Sequence, residues 1–160
     1  MKTLNKTMKL SEILHPSLIL PDLKSRSKEE VLKELASVVA GRMLVDEREL
    51  EKSLLERESA RSTALERTGV AIPHARIRGL TQFVLVIAKS LKGVRFGAED
   101  KSSTHLFFLI VGPEDNPGDY LKLLARVARI CHAAEFRRKL LEARTAEEML
   151  KAIKEEEAKS

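Results

Sequence analysis

A single cysteine, Cys131, excludes a disulfide framework within the chain. Seven glycines among 160 residues exclude a collagen-like composition. No apolar run approaches the roughly 18 residues that a membrane span requires, so an integral membrane protein is not expected. The opening MKTLNKTMKLSEIL carries lysines but no continuous apolar stretch, which argues against a signal peptide. A reduced, cytoplasmic protein is the expectation. Tryptophan is absent and Tyr120 is the only tyrosine, so the stacking aromatics of a single-strand nucleic-acid binder are missing.

The hydrophobic share of 43% is enough to build a core, and 160 residues suit one domain. Twenty-nine basic against 24 acidic side chains leave a formal charge of +5, a mild excess that bears on solubility and steering. Arg126, Arg129, Arg137, Arg138 and Lys139 lie close together, but Glu142, Glu147 and Glu148 follow. That mixture reads as a solvated helix face; a nucleic-acid footprint is the weaker alternative, and no nucleic-acid partner is expected.

Residues 1–9 read as a lead-in, 10–153 as the domain and 154–160 as a charged tail. Ser27 and Glu30 have the spacing of a capping box, so a helix is expected after Ser27, with Val31, Leu32, Leu35, Val38 and Val39 at helical spacing and Gly41 as its stop. Asp46 and Glu49 open a second helix with Leu50, Leu54 and Leu55 as its apolar stripe. The period then changes. Val70-Ala71-Ile72 is a short apolar run closed by Pro73, and residues 83–88 and 106–111 read as buried strands. The two longer runs lack alternation, as strands covered on both faces do. After the loop from Gly112 to Gly118, a long helix is expected with Leu121, Leu124, Ala125, Ala128 and Cys131 along its stripe. Further helices are expected over 135–143 and from Thr145. The order predicts a single three-layer α/β domain, a mixed central sheet flanked by helices.

Four histidines are present. His15, His105 and His132 read as structural or surface residues. Cys131 and His132 are adjacent on a helix and diverge by about a quarter turn, and no second pair has metal-ligand spacing, so no metal is expected. His74 differs. It follows Pro73, which restrains its own φ and keeps Ile72 extended, so the imidazole is held at a rigid strand end. Arg57, Ser62 and Thr63 lie upstream and offer a guanidinium and two hydroxyls, good donors to a phosphoryl group. A partly neutral imidazole is nucleophilic and can carry a phosphoryl group covalently. From these residues alone, phosphohistidine chemistry is only one option, and a plain structural histidine is the stronger reading.

The stretch Arg57-Glu58, Ser62-Thr63 and Gly69-Val70-Ala71-Ile72-Pro73-His74 resembles the type 2 enzyme IIA domains of the bacterial phosphotransferase system, the fructose/mannitol family with its nitrogen-regulatory branch. The likeness continues through the strand ending at Pro113, the helix from Leu121 to Arg129 and the closing Thr145–Leu150, covering roughly residues 10–153. The resemblance implies that His74 accepts a phosphoryl group from the histidine-containing phosphocarrier protein. It further implies that Arg57 balances the phosphate charge, and that Thr63, with Ser62, donates hydrogen bonds to its oxygens. No metal, nucleotide or other cofactor is implied, and no P-loop is present. A free-standing domain looks most like the nitrogen-regulatory branch, which signals through its phosphorylation state instead of feeding a sugar permease. The downstream partners that the family as a whole implies are a kinase, a transporter or a sugar-permease domain.

Family members usually carry a second histidine where this chain has Tyr120, at the start of the long helix. Tyr can donate a hydrogen bond but cannot become a cation near neutral pH. The change weighs against fast transfer more than against slow phosphorylation, or Tyr120 simply packs there. The alternative function is thus a non-catalytic interaction module on the same fold that binds a kinase, transporter or regulator. Near the motif, Arg61, Arg67, Arg76 and Arg78 present positive charge, partly offset by Glu56, Glu58 and Glu66.

Overall fold

Two long strands, β5 (Val84–Val94) and β6 (Thr104–Pro113), form the antiparallel centre of the sheet in the computed structural model, which describes residues 9–97 and 103–159. Short strands complete it. Strand β1 (Ile19–Leu20) runs parallel to β5; β3 (Val70–Ala71) and β4 (His74–Ile77) run parallel to β6; β2 (Ala64–Leu65) lies antiparallel outside β3. The result is a six-stranded mixed sheet in the order β1-β5-β6-β3-β2, with β4 also on β6.

Strands β3 and β4 keep one register against β6: Val70 faces Leu106 and His74 faces Ile110. They are one extended segment interrupted at Pro73, which has no N–H to offer the ladder. The Pro73 carbonyl still accepts from the Ile110 amide at 3.0 Å. His74 therefore opens β4 instead of ending a strand, as its sequence context suggested.

Among the described residues, six α-helices cover the sheet on both faces. On one side, α2 (Lys28–Ala40) and α3 (Glu47–Ala60) bury Leu32, Leu35, Leu50 and Leu54 against Val86, Phe107 and Leu109. On the other, α1 (Leu10–Ile13), α4 (Pro117–Cys131), α5 (Ala134–Glu142) and α6 (Ala146–Glu157) pack over Ile87, Phe108 and Ile110. Alternate residues of β5 and β6 thus enter two separate cores, which is why these runs show no polar alternation. The expected three-layer α/β architecture is what forms.

The caps follow the sequence. Ser27, Asp46 and Thr145 accept from the amides of Glu30, Glu49 and Glu148. Two details differ. In α4 the buried stripe is Tyr120, Leu123, Val127, Ile130 and Cys131, and Leu121 is 63% exposed. Of the expected stripe, Cys131 is buried and Leu124 and Ala128 are half-buried against the core, while Leu121 and Ala125 face outward, so its centre lies one residue out of phase. Tyr120 is the largest apolar group in the first turn, and burying its ring sets the rotation of the helix. Helix α6 also continues past residue 153. The buried carboxylate of Glu157 accepts from the amides of Leu10 and Ser11, tying the last helix to the first, so 154–157 is not a free tail. Of the expected lead-in, residues 1–8 lie outside the described residues.

Lys89 is buried on β5 and its ammonium donates to the carbonyls of Leu140, Leu141 and Ala143 at the end of α5. It closes the C-terminus of that helix where the dipole favours a cation. The basic cluster of the sequence is laced with acids. Arg138 pairs with Glu135 and Glu142, Lys139 with Glu155, and Arg137 donates to the Cys131 carbonyl. No helix among the described residues is long and apolar enough to cross a membrane.

Candidate functional site

His74 is placed by β4 at the wall of an open cleft of about 870 Å³ between the end of the sheet, α3 and α4. Its ring is held at both nitrogens. Nδ1 lies 2.8 Å from the Ile72 carbonyl, which can only accept, so Nδ1 carries the proton. Nε2 lies 3.1 Å from Nε of Arg57, which can only donate, so Nε2 carries the lone pair. The network therefore selects one neutral tautomer.

The electrostatics favour that neutral ring. Burial pushes the His74 pKa below its ordinary value. The Ile72 hydrogen bond pulls it up, the Arg57 charge lowers it and the Glu58 charge raises it, but the loss of solvent prevails. An imidazole of this kind stays unprotonated near pH 7, with its free pair on Nε2.

Arg57 sits in the last turn of α3, where it also donates to the Arg61 carbonyl at 3.2 Å. Glu58, the next residue, is 4% exposed. Its two carboxylate oxygens accept from the Thr63 amide and the Thr63 hydroxyl, both at 2.7 Å. This clamp fixes the turn that joins α3 to β2. It also redirects Thr63: its hydroxyl proton goes to Glu58, and Thr63 does not line the cleft. Ser62 accepts from the Ala64 amide at 3.2 Å and lies outside the cleft as well. The structure thus joins His74, Arg57 and Tyr120, and leaves Ser62 and Thr63 behind them.

Tyr120 is 7% exposed, and its ring meets the His74 imidazole edge-on, with centroids 5.9 Å apart and planes at 61°. Burial raises its pKa, so the phenol stays neutral. Gly112 makes room for it. A Cβ there would come within 2.9 Å of Tyr120 Cδ1 and 2.8 Å of Phe83 Cε1.

Sequence reasoning gave Arg76 no role beyond local charge, yet it lines the cleft. The alternation of His74-Ala75-Arg76-Ile77-Arg78, with Ala75 and Ile77 buried, carried that signal. Opposing Arg57, Arg76 and Arg78 are Glu49, Glu56 and Glu114, and Leu121 and Leu124 add apolar surface. Arg78 pairs with Glu114 at 3.5 Å; neither Arg57 nor Arg76 forms an ion pair among the described residues. No group of three or more His, Cys, Asp or Glu among the described residues could hold a metal ion.

The other histidines lie apart. His15 Nδ1 accepts from the Ser17 amide, His105 Nδ1 meets the Ser90 carbonyl at 2.9 Å, and His132 ends α4.

Residues 12–156 match the family model described as "Phosphoenolpyruvate-dependent sugar phosphotransferase system, EIIA 2". The chain is 35% identical over 140 residues to a nitrogen regulatory protein of Bradyrhizobium diazoefficiens, covering 88% of this chain and 91% of the relative. It is 31% identical over 148 residues to a PTS system fructose-specific EIIABC component of Bacillus subtilis, covering 91% of this chain and 23% of that longer protein. Among solved structures, the nitrogen regulatory protein IIA-Ntr of Neisseria meningitidis superposes with a TM-score of 0.84 at 28% identity, over 90% of this chain and 98% of the other. With a match across nearly its whole length, the chain belongs to the type 2 EIIA family of the phosphoenolpyruvate-dependent sugar phosphotransferase system.

Proposed function

We propose that this protein is a cytoplasmic phosphoryl carrier that accepts its phosphoryl group on Nε2 of His74 from the histidine-containing phosphocarrier protein. The observation that carries this reading is the double restraint on the His74 ring: Nδ1 on the Ile72 carbonyl, Nε2 facing Arg57 over an open cleft. A nucleophile needs its lone pair aimed outward and a cation beside the incoming charge, and this arrangement supplies both.

In the transfer, the Nε2 pair forms a bond to phosphorus as the donor's own N–P bond breaks. The electron pair of that bond leaves with the donor imidazole, and the proton stays on Nδ1, donated to the Ile72 carbonyl. For the Nε2 pair to attack, the Arg57 Nε–H first leaves Nε2 and turns to the incoming phosphoryl oxygens, which bring about two negative charges into the cleft. The protein supplies position and fixed charge, and no cofactor is required.

The nitrogen-regulatory relatives, matched along nearly their full length, support a role in signalling through phosphorylation state over a dedicated sugar route. A non-catalytic module is the competing reading, and Tyr120 is the feature that favours it. Incubation with phosphoenolpyruvate, enzyme I and the phosphocarrier protein, followed by intact mass, separates the two. An acid-labile gain of about 80 Da, absent from His74→Ala, is the expected result. No gain from an active donor would shift the assignment to the interaction module.

A further inference from the structure

The phosphoryl site proposed above has one cation, Arg57, touching the acceptor nitrogen, while its product carries about two negative charges. Arg76 is the second cation of the cleft outside the ion pairs of the described residues. Its Cα lies two residues along β4 from that of His74, about 6.6 Å away, and the two side chains leave the same face of the strand.

Arg76 is aligned by an aromatic platform. Its guanidinium carbon lies 5.8 Å from the centroid of the Tyr120 ring, the same ring that meets His74 edge-on. That platform is rigid, because Tyr120 is buried and its ring packs against Gly112 where no side chain fits. One Nη1–H of Arg76 donates to the Glu114 carbonyl at 3.4 Å, and a guanidinium has further N–H groups to give. Arg78 is differently placed, with its guanidinium on the Glu114 carboxylate.

We propose that Arg76, held over the Tyr120 ring, is the second cationic ligand of the phosphoryl group on His74. Tyr120 is then a positioning residue that acts through its ring. The inference rests on His74 being the phosphoryl acceptor. It removes the need for a second imidazole: the tyrosine presents a neighbouring cation where it could not become one itself.

Phosphoramidate tests this without a protein donor. The Nε2 pair bonds to phosphorus, the P–N bond of phosphoramidate breaks, and ammonia leaves with its pair. Labelling of the full chain is followed by intact mass against concentration and time. Arg76→Gln is expected to slow labelling about ten-fold, and Arg76→Lys to recover part of the loss. Tyr120→Leu is expected to slow it comparably, with Tyr120→Phe recovering most of that loss because the ring returns. The Arg76→Gln, Tyr120→Leu double variant should be no slower than either single one, since both remove the same contact. Arg76 is exposed, so its variants keep the test valid should Tyr120→Leu fold poorly. A labelled wild type with Arg76→Gln within two-fold of it overturns this inference alone. Fully multiplicative losses in the double variant overturn the positioning role of Tyr120. A wild type that takes no label overturns the acceptor assignment, and this inference with it.

Discussion

Replacing Arg57 with alanine removes the side chain that, among the described residues, donates to the lone-pair nitrogen of His74. The contact is a 3.1 Å hydrogen bond from a permanent cation. Two charges about 4 Å apart interact by about 4 kcal/mol at an effective dielectric near 20. Arg57 is half-exposed, so solvent screens part of that. A charge-assisted hydrogen bond loses about 1.5–3 kcal/mol on deletion. At about 1.4 kcal/mol per decade, phosphorylation should slow by roughly ten- to a hundred-fold. Arg57 also lowers the His74 pKa, so its loss should move the acid limb of the pH–rate profile to higher pH. Rapid-quench phosphorylation by the phosphorylated carrier protein, repeated across pH, reads both effects. Arg57 takes no part in either core, so thermal stability should barely change. A wild-type rate with an unmoved acid limb would refute the assignment of Arg57 to the site.

Other expectations concern the frame. Lys89→Met leaves three carbonyls at the end of α5 without their buried donor and should cost about 1–3 kcal/mol, read as a lower denaturant midpoint; an unchanged midpoint would show that the cap is dispensable. Gly112→Ala forces a methyl against Phe83 and Tyr120 and should cost about 1–3 kcal/mol in melting experiments, with a wild-type Tm counting against the rigid platform. His74 has a folded pKa below its ordinary 6.5, so the unfolded chain binds the proton more readily. Its contribution to stability is therefore present above pH 6.5 and lost as pH falls through the folded value. Denaturant melts of His74→Gln should show a shallower loss over that window, and an identical slope would mean that His74 titrates normally.

Much of this architecture is legible in the residues. The caps at Ser27, Asp46 and Thr145 depend on contacts three residues apart, and all three form. The two buried strands announce themselves by uninterrupted apolar runs, because each face meets a different helical layer. The Pro-His string singles out His74, the family resemblance sets Arg57 beside it, and the two side chains do meet, at 3.1 Å. What escaped depends on the third dimension. The rotation of α4 is decided by which ring the sheet buries, and two stripes one residue apart have equal helical periodicity. The Thr63 hydroxyl looked free for phosphate in one dimension, but the Glu58 carboxylate, five residues back, folds onto it. Arg76 was visible as charge, while its place over Tyr120 required the approach of α4 to the end of β4.

The central claim is that Nε2 of His74 carries the phosphoryl group while Nδ1 stays protonated on the Ile72 carbonyl. The most direct measurement is nitrogen-15 NMR of ring-labelled histidine in the phosphorylated protein, read for phosphorus coupling at each nitrogen. Coupling to His74 Nε2, with a proton retained on Nδ1, is the predicted result. Coupling to Nδ1, or to any other histidine, would contradict it.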